Sequence, residues 1–274
     1  MKCEQCADKL DRYVDRELTN TEALEVQLHL EGCPDCMDHY EFQEHLKRVV
    51  KHSCDCEHLP LPTGERVGER GVKLDTARLY VITPDSQPDR VIEIAAAAAR
   101  GGADAIQLRH KSLARGELLI LARRLRSLIS TALFIVNDHV DIALLCEADG
   151  VHLGPDDLSI AAARRIAGDR LFIGASASTP ERAKDAVENG ADYIGCGPAF
   201  ATPIKSEKQV IGPEGIAAVS KMVAVPVFAI GGIDEHNVGQ LTALGIHRVC
   251  VIRAVGDATD PEQAARQLRG MLSP

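Results

Sequence analysis

The chain has 274 residues, 45% of them hydrophobic and 26% charged, which suffices for one large domain or for a large domain joined to a small one. The net charge of −9 argues against a nucleic-acid-binding surface. The longest apolar run, Ile94–Ala99, is far shorter than the ~20 residues of a membrane helix, and the first residues lack the apolar core of a signal peptide. We therefore expect a cytoplasmic protein that binds neither nucleic acid nor membrane.

The first 58 residues differ from the rest in charge and cysteine content. They carry seven Lys or Arg against fourteen Asp or Glu, and six of the nine cysteines. In a cytoplasmic chain, such clustering favours metal binding or redox chemistry over structural disulfides. Residues 59–71 contain two Pro and three Gly without a hydrophobic period, which is typical of a linker. We predict a small all-α domain over residues 1–58, a linker over 59–74 and a second domain over 75–274.

The second domain alternates short β-rich apolar runs with longer segments of helical spacing, as parallel βαβ units do. Helical segments are predicted at 88–100, 115–130, 180–189 and 261–271, several of them opened by a proline. An open doubly wound sheet is the alternative, but no Gly-x-Gly-x-x-Gly turn follows the first strand. Eight runs, apolar on both faces, predict an α/β fold, a closed (β/α)₈ TIM barrel. The predicted strands are Leu79–Thr83, Ala105–Arg109, Leu133–Asn137, Gly150–Leu153, Leu171–Gly174, Tyr193–Gly195, Val227–Ile230 and Arg248–Ile252.

Polar residues follow the second predicted strand, at the end where TIM barrels carry their active sites. Strand alternation directs Gln107, Arg109 and Lys111 to the same side. They would supply an amide and two cations for an anionic ligand. A solvated loop is the alternative reading of the same residues.

Two carboxylates, Asp138 and Asp157, close the third and fourth strands. Carboxylates that converge beside a diphosphate are typical of a Mg²⁺ site. Either residue alone is also a common helix N-cap, and spacing does not distinguish Asp157 from its neighbour Asp156.

The last three strands are followed by features suited to phosphate. A Gly- and Pro-rich loop over 195–205 ends in Lys205, an anion partner. Gly231 and Gly232 would let backbone N–H groups at a helix start approach a phosphate. Strand 8 ends at Arg253, and TIM barrels often bind a phosphate between the loops after strands 7 and 8.

Several motifs occur in the order found in thiamin phosphate synthase, and this resemblance covers about residues 77 to 270. The motifs are Gln107-x-Arg109-x-Lys111, Asn137-Asp138-x-Val140-Asp141-x-Ala143, Ala148–Gly154, Gly190–Gly195 and Ile230–Ile233.

The resemblance implies Mg²⁺-dependent condensation of 4-amino-2-methyl-5-(diphosphomethyl)pyrimidine with 4-methyl-5-(2-phosphoethyl)thiazole, or its carboxylated form, to thiamin phosphate and diphosphate. In that family the diphosphate leaves first, and the thiazole nitrogen attacks the resulting pyrimidine cation. The implied Mg²⁺ ligands are Asp138 and Asp157. The implied residues around the pyrimidine diphosphate are Gln107, Arg109, Lys111, Asn137, Ser176 and Lys205. Those around the thiazole phosphate are Thr202, Ile204, Gly232, Ile252 and Arg253, and the expected catalytic residues are Lys205, Arg109 and Ser176.

The chain departs from this family at two places. The family has Thr-x-Thr before the lysine and Ser after the strand 8 isoleucine, whereas this chain has Ile204 and Arg253 there. Both changes fall in the thiazole phosphate site, where Arg253 either adds a phosphate contact or indicates a different partner molecule. The alternative functions are a thiazole tautomerase, which has His in place of Ser178, and a ligand-sensing barrel in an anti-sigma-type regulator.

The N-terminal domain contains a Cys…His-x₃-Cys-x₂-Cys spacing formed by Cys3, His29, Cys33 and Cys36. His29 and Cys33 share one helical face and Cys36 follows in the next turn, so these side chains could gather around a tetrahedral Zn²⁺. Cys6 is an alternative to Cys3, and a redox pair of Cys33 and Cys36 is an alternative to zinc.

This spacing, together with the segments 10–18 and 29–36, resembles the zinc-binding anti-sigma domain over about residues 1–56. The resemblance implies a sigma-factor partner contacted by amphipathic helices around 21–30 and 37–50. Packing on the barrel or on a second copy of the chain is an equal alternative. Cys54 and Cys56 resemble the extra thiols of redox-responsive anti-sigma proteins, which suggests that oxidation releases zinc.

Overall fold

A computed structural model of the chain describes residues 2–14, 18–34, 36, 37, 40, 73–201 and 209–273, with only the backbone given at 11, 14 and 20. The chain divides into two compact units, residues 1–63 and 64–274. Within the described ranges, no helix has the length and apolar character that crossing a membrane requires.

In its described part, the second unit is a closed barrel of eight parallel strands in sequence order, with β1 paired to β8. This closure excludes the open doubly wound sheet, and the predicted (β/α)₈ barrel is confirmed. The strands are β1 (Leu79–Ile82), β2 (Ala105–Leu108), β3 (Leu133–Asn137), β4 (Gly150–Leu153), β5 (Phe172–Ser176), β6 (Tyr193–Cys196), β7 (Val227–Ile230) and β8 (Val249–Val251).

The helices of this unit begin where local sequence favours a first turn. Four of them carry a proline in that turn, where a missing N–H costs nothing. Ser159, Thr179 and Asp260 each accept a backbone N–H at a helix start. Numbered after α1 (Cys3–Val14) and α2 (Asn20–Gly32) of the first unit, the α-helices in the described part of the second unit are α3 (Pro88–Arg100), α4 (Arg115–Leu128), α5 (Val140–Leu145), α6 (Ile160–Ala167), α7 (Pro180–Glu188), α8 (Gly212–Met222), α9 (Val238–Thr242), α10 (Arg253–Gly256) and α11 (Pro261–Met271).

The strands separate two apolar regions. One face of each strand packs against the helices, and the other fills the barrel interior, where Tyr80, Ile135, Tyr193 and Phe228 lie together. Leu74, the last residue of the predicted linker, is buried in this interior cluster. Strand periodicity therefore places Gln107, His152 and Ser176 on the inner face, near the strand ends.

A glycine on β5 makes room for the largest buried side chain of the interior. A Cβ on Gly174 would lie 2.1 Å from Cζ of Tyr193. The Tyr193 ring is 1% exposed and packs edge-on against Phe228. Because the ring is enclosed, it has no room to yield.

The first unit is built from α1 (Cys3–Val14) and α2 (Asn20–Gly32). Thr19 and Glu22 form a capping box at the start of α2. The helices enclose a small core of Cys6, Leu10, Val26, Leu30 and Cys36. Most of the predicted helix over 37–50 lies outside the described residues.

The close approach at Gly174 can be tested by substitution. Gly174→Ala should lower the free energy of unfolding by about 1–3 kcal/mol, because the added methyl group overlaps the enclosed Tyr193 ring and strains the packing around it. Gly116→Ala is the control, since a Cβ there meets nothing within 4 Å. Urea unfolding of both variants checks this, and equal stabilities would contradict it.

Candidate active site and metal centre

A cavity of about 380 Å³ opens at the carboxyl ends of the barrel strands. Its lining includes Ser178, which the sequence analysis discussed. It also includes Arg182 and two carboxylates, Asp234 and Asp257, which the sequence did not single out as site residues. The predicted site residues that line it are Gln107, Ser176, Gly232, Ile252 and Arg253.

A chain of hydrogen bonds crosses the floor of this cavity. Gln107 Nε2 donates to the Tyr80 hydroxyl at 2.7 Å, and that hydroxyl lies 3.0 Å from the hydroxyl of Tyr193. Tyr193 Oη lies 3.3 Å from His152 Nδ1, and His152 Nε2 lies 3.0 Å from Ser176 Oγ. The two ends of the chain, Gln107 and Ser176, are both predicted substrate residues.

Burial raises the pKa of both tyrosines well above its usual value, so both hydroxyls stay protonated and neutral. They act as fixed donors and acceptors within the barrel. The other polar atom of the Gln107 side chain, Oε1, is buried and has no hydrogen-bond partner within the described residues. A buried acceptor of this kind is costly unless a ligand donates to it.

The carboxyl groups of Asp138 and Asp157 interact electrostatically. Burial, side-chain hydrogen bonding with Asp157 and the charge of Asp157 together raise the pKa of Asp138 to about 6. Asp138 has a φ of 65°, a left-handed conformation that Asp tolerates. Asp157 Oδ2 also accepts the N–H of Gly154 at 2.7 Å, whereas Asp156 is exposed. Neither member of the pair caps a helix, because α5 is capped at His139 and α6 at Ser159.

Two predicted cations lie near this carboxylate pair. The charges of Lys111 and Arg109 both lower the pKa of Asp138, although burial and Asp157 outweigh them. Asn137, the last residue of β3, is half-buried and pairs in register with His152 of β4. Thr202, Ile204 and Lys205 lie outside the described residues.

The turn after β7 differs from the expected helix start. Helix α9 begins at Val238, so Gly231 and Gly232 lie in the turn that precedes this helix and not in its first turn. Asn237 shapes the intervening turn, since its Nδ2 donates to the Gly232 carbonyl at 2.7 Å and its Oδ1 accepts the Asp234 N–H at 3.0 Å. A Cβ on Gly232 would lie 2.6 Å from the Ala201 carbonyl oxygen, so the loops after β6 and β7 pack closely.

In the first unit, Cys3, His29, Cys33 and Cys36 form one cluster, with potential ligand atoms within 4.8 Å of one another. His29 Nε2 is buried and finds no hydrogen-bond partner in the described part of the chain. Burial and the neighbouring thiols of Cys33 and Cys3 raise the pKa of Cys36 to about 12. This set of sulfur and imidazole donors fits Zn²⁺. Cys6, the alternative ligand, lies outside this cluster and is buried in the small core that also contains Cys36.

A family model described as thiamine monophosphate synthase matches residues 79–255. The chain belongs to this family. A second family model, described as a zinc-finger, matches residues 3–37. Both resemblances noted in the sequence thus coincide with matching families.

Thiamine-phosphate synthase of Gloeobacter violaceus is 45% identical over 196 residues, which are 71% of this chain and 57% of that protein. The chain thus spans little more than half of that relative. Thiamine-phosphate synthase of Salinibacter ruber is 44% identical over 200 residues, 71% of this chain and 88% of the relative.

Among solved structures, a thiamine phosphate pyrophosphorylase from Pyrococcus furiosus has 39% sequence identity and a TM-score of 0.67. The match covers 74% of this chain and 97% of the Pyrococcus furiosus chain. A 3-hexulose-6-phosphate synthase, at 20% identity and a TM-score of 0.60, shares the fold alone.

Besides Asp234 and Asp257, sequence reasoning missed four further residues that line the cavity: Tyr80, His152, Tyr193 and Arg182. The two tyrosines stand in apolar runs and read as core. His152 stands at an inward position near the end of β4, which is a usable signal. Arg182 lies in the first turn of α7, four residues beyond Ser178, and carries no strand-end signal.

The raised pKa of Asp138 predicts a pH dependence. The neutral form contributes stability below the ordinary pKa, and this contribution is lost as pH rises through about 6. In Mg²⁺-free buffer, the stability advantage of the unaltered chain over Asp138→Asn should therefore shrink from about pH 5 to about pH 7.

Thermal unfolding of the two chains across this range measures the effect. Asp156→Asn, at the exposed neighbouring position, serves as the matched control and should keep the pH dependence of the unaltered chain. An Asp138→Asn difference that stays constant with pH would contradict the close pairing of the two carboxyls.

Proposed function

We propose that the barrel is a thiamin phosphate synthase that joins the pyrimidine diphosphate to the thiazole phosphate and releases diphosphate. The observations that carry this proposal are the buried Gln107 Oε1, which has no hydrogen-bond partner among the described residues, and a rim formed by Arg109, Lys111 and Asp157, whose charges act on Asp138. An aminopyrimidine supplies such a donor, and its diphosphate supplies the charge that the rim attracts. Family membership and relatives named thiamine-phosphate synthase support the same reading.

The pyrimidine would lie on the cavity floor, where its amino group donates to Gln107 Oε1 and Ser176, oriented by His152, contacts it from the opposite side. Arg109, Lys111 and Lys205 would surround the diphosphate. As the C–O bond to the diphosphate breaks, these cations stabilise the charge that accumulates on the leaving group.

Asp138 and Asp157 would hold Mg²⁺, since paired carboxylates are the hard oxygen donors that this ion prefers. When bound there, Mg²⁺ would supply further neutralisation of the diphosphate charge. The raised pKa of Asp138 supports the fit, because it indicates a carboxylate pair that a cation would stabilise in the ionised form.

Arg253 and Gly232 line the cavity, and with Thr202 and Ile204 they would surround the phosphate of the thiazole. Arg182 lines the same cavity and adds a cation that the sequence did not suggest. The thiazole nitrogen attacks the pyrimidine cation directly, so the step requires no protein base.

The test is product formation by the purified full-length chain with both substrates and Mg²⁺. We expect thiamin phosphate, detected by chromatography, and its loss with chelator. Lys205→Ala should lower kcat/KM by about 100-fold or more, because it removes a cation from the leaving group.

Lys221→Ala, which removes an exposed lysine of α8, is the matched control and should retain activity within about twofold. Binding of the pyrimidine diphosphate without turnover would overturn the enzymatic proposal in favour of a ligand sensor.

The N-terminal unit is proposed to bind one Zn²⁺ through Cys3, His29, Cys33 and Cys36 and to act as an interaction module. Its partner, a sigma factor or a second copy of the chain, stays a prediction, as does the cytoplasmic location.

His29→Ala should reduce the zinc content of the purified chain, measured by mass spectrometry of the metal. His236→Ala, a histidine with an 82% exposed side chain, should retain it, and unchanged zinc in both variants would exclude this ligand set.

A further inference from the structure

Side chains of the loop after β1 extend the β1–β2 pairing beyond the end of the sheet. The last paired residues are Ile82 and Gln107, and the Thr83 N–H donates to the Gln107 carbonyl at 2.9 Å. Beyond them, Arg109 N–H donates to Thr83 Oγ1 at 3.1 Å, and Lys111 N–H donates to Asp85 Oδ2 at 3.1 Å. Alternate residues of the β2 extension are therefore held like residues of a strand.

His110 lies between the two cations in sequence, and its ring contacts the loop after β1. Its side chain is 5% exposed, and its Nδ1 lies 3.0 Å from Asp85 Oδ1. Its Nε2 lies 2.8 Å from the Ser86 carbonyl oxygen. Ser112 Oγ donates to Asp85 Oδ1 at 3.1 Å. One carboxylate thus contacts three consecutive residues, 110 to 112.

Asp85 is held in its ionised form by these contacts. Burial alone would raise its pKa, but hydrogen bonds from Lys111 N–H and Ser112, with the charges of His110 and Arg109, lower it. The Arg109 and Lys111 charges also act on Asp138 of the proposed diphosphate site. None of Asp85, Arg109 and Lys111 is among the residues that line the cavity in the described structure, so Asp85 contacts the β2 extension outside the cavity.

We propose that Asp85 and His110 are positioning residues for the diphosphate end of the active site, an inference that rests on the proposed function. They hold the β2 extension so that Arg109 and Lys111 project toward the same ligand as Gln107. Without Asp85 and His110, the side chains of Arg109 and Lys111 are no longer held in a common direction. Ordering these two side chains then weakens diphosphate binding. The thiazole phosphate end of the site is unaffected.

The experiment measures, on the full-length chain, KM for both substrates and inhibition by inorganic diphosphate. Asp85→Ala removes two hydrogen bonds from the β2 extension and should raise KM for the pyrimidine diphosphate and Ki for diphosphate by about tenfold. KM for the thiazole phosphate should stay within about twofold, and Asp85→Asn, which keeps an acceptor for Lys111 N–H, should restore most of the affinity. Asp89→Ala, at a carboxylate that is 88% exposed, is the matched control and should leave all three constants unchanged.

A double-mutant cycle separates positioning from general destabilisation. If Asp85 acts through Lys111, the effects of Asp85→Ala and Lys111→Ala on Ki for diphosphate are not additive. Additive effects, or an equal rise of both KM values, would overturn the inference. An unaltered chain that neither forms thiamin phosphate nor is bound by diphosphate would instead overturn the proposed function, and this inference with it.

Discussion

The hydrogen-bonded chain across the barrel interior determines where the functional groups of this site lie. Tyr80 and Tyr193 are buried in the apolar interior, and a buried hydroxyl without a partner would cost stability. Satisfying them requires polar neighbours on the adjoining strands, and those neighbours are Gln107 and His152. His152 then orients Ser176. The floor of the site thus consists of the side chains that pair the buried tyrosine hydroxyls, together with Ser176.

The contacts that hold Gln107 differ from those that hold the two cations, Arg109 and Lys111. Gln107 is tied to strands on both sides, whereas Arg109 and Lys111 lie beyond the last strand pair. Their direction depends on two side chains of the neighbouring loop, Thr83 and Asp85. In the proposed function, recognition of the pyrimidine would therefore depend on sheet geometry, and recognition of the diphosphate on loop contacts.

Much of the barrel could be predicted from sequence because its signals are local. Apolar strand runs and first-turn prolines placed β3, β4 and β7 and helices α3 and α11 within their observed bounds. The Tyr80–Tyr193 contact could not be predicted, since it joins residues 113 positions apart and each reads as core in its own strand. The turn before α9 could not be predicted, because Asn237 builds it with Gly232 through a side-chain hydrogen bond that glycine spacing does not indicate. The site residues Thr202, Ile204 and Lys205 remain predictions from sequence.

The N-terminal unit follows a different physical logic. Its described core contains few buried side chains, and two of them are the cysteines Cys6 and Cys36. A core this small seldom stabilises a domain without a staple such as a structural metal. The convergence of Cys3, His29, Cys33 and Cys36 brings together donors that could bind one, and in domains of this kind metal binding and folding are coupled.

The most direct test of the account is a crystal structure of the full-length chain with the pyrimidine diphosphate and Mg²⁺. The account predicts the amino group of the pyrimidine at about 3 Å from Gln107 Oε1, with the diphosphate between Arg109, Lys111 and the Asp138–Asp157 pair. A pyrimidine bound away from Gln107, or a diphosphate that contacts neither cation, would contradict it.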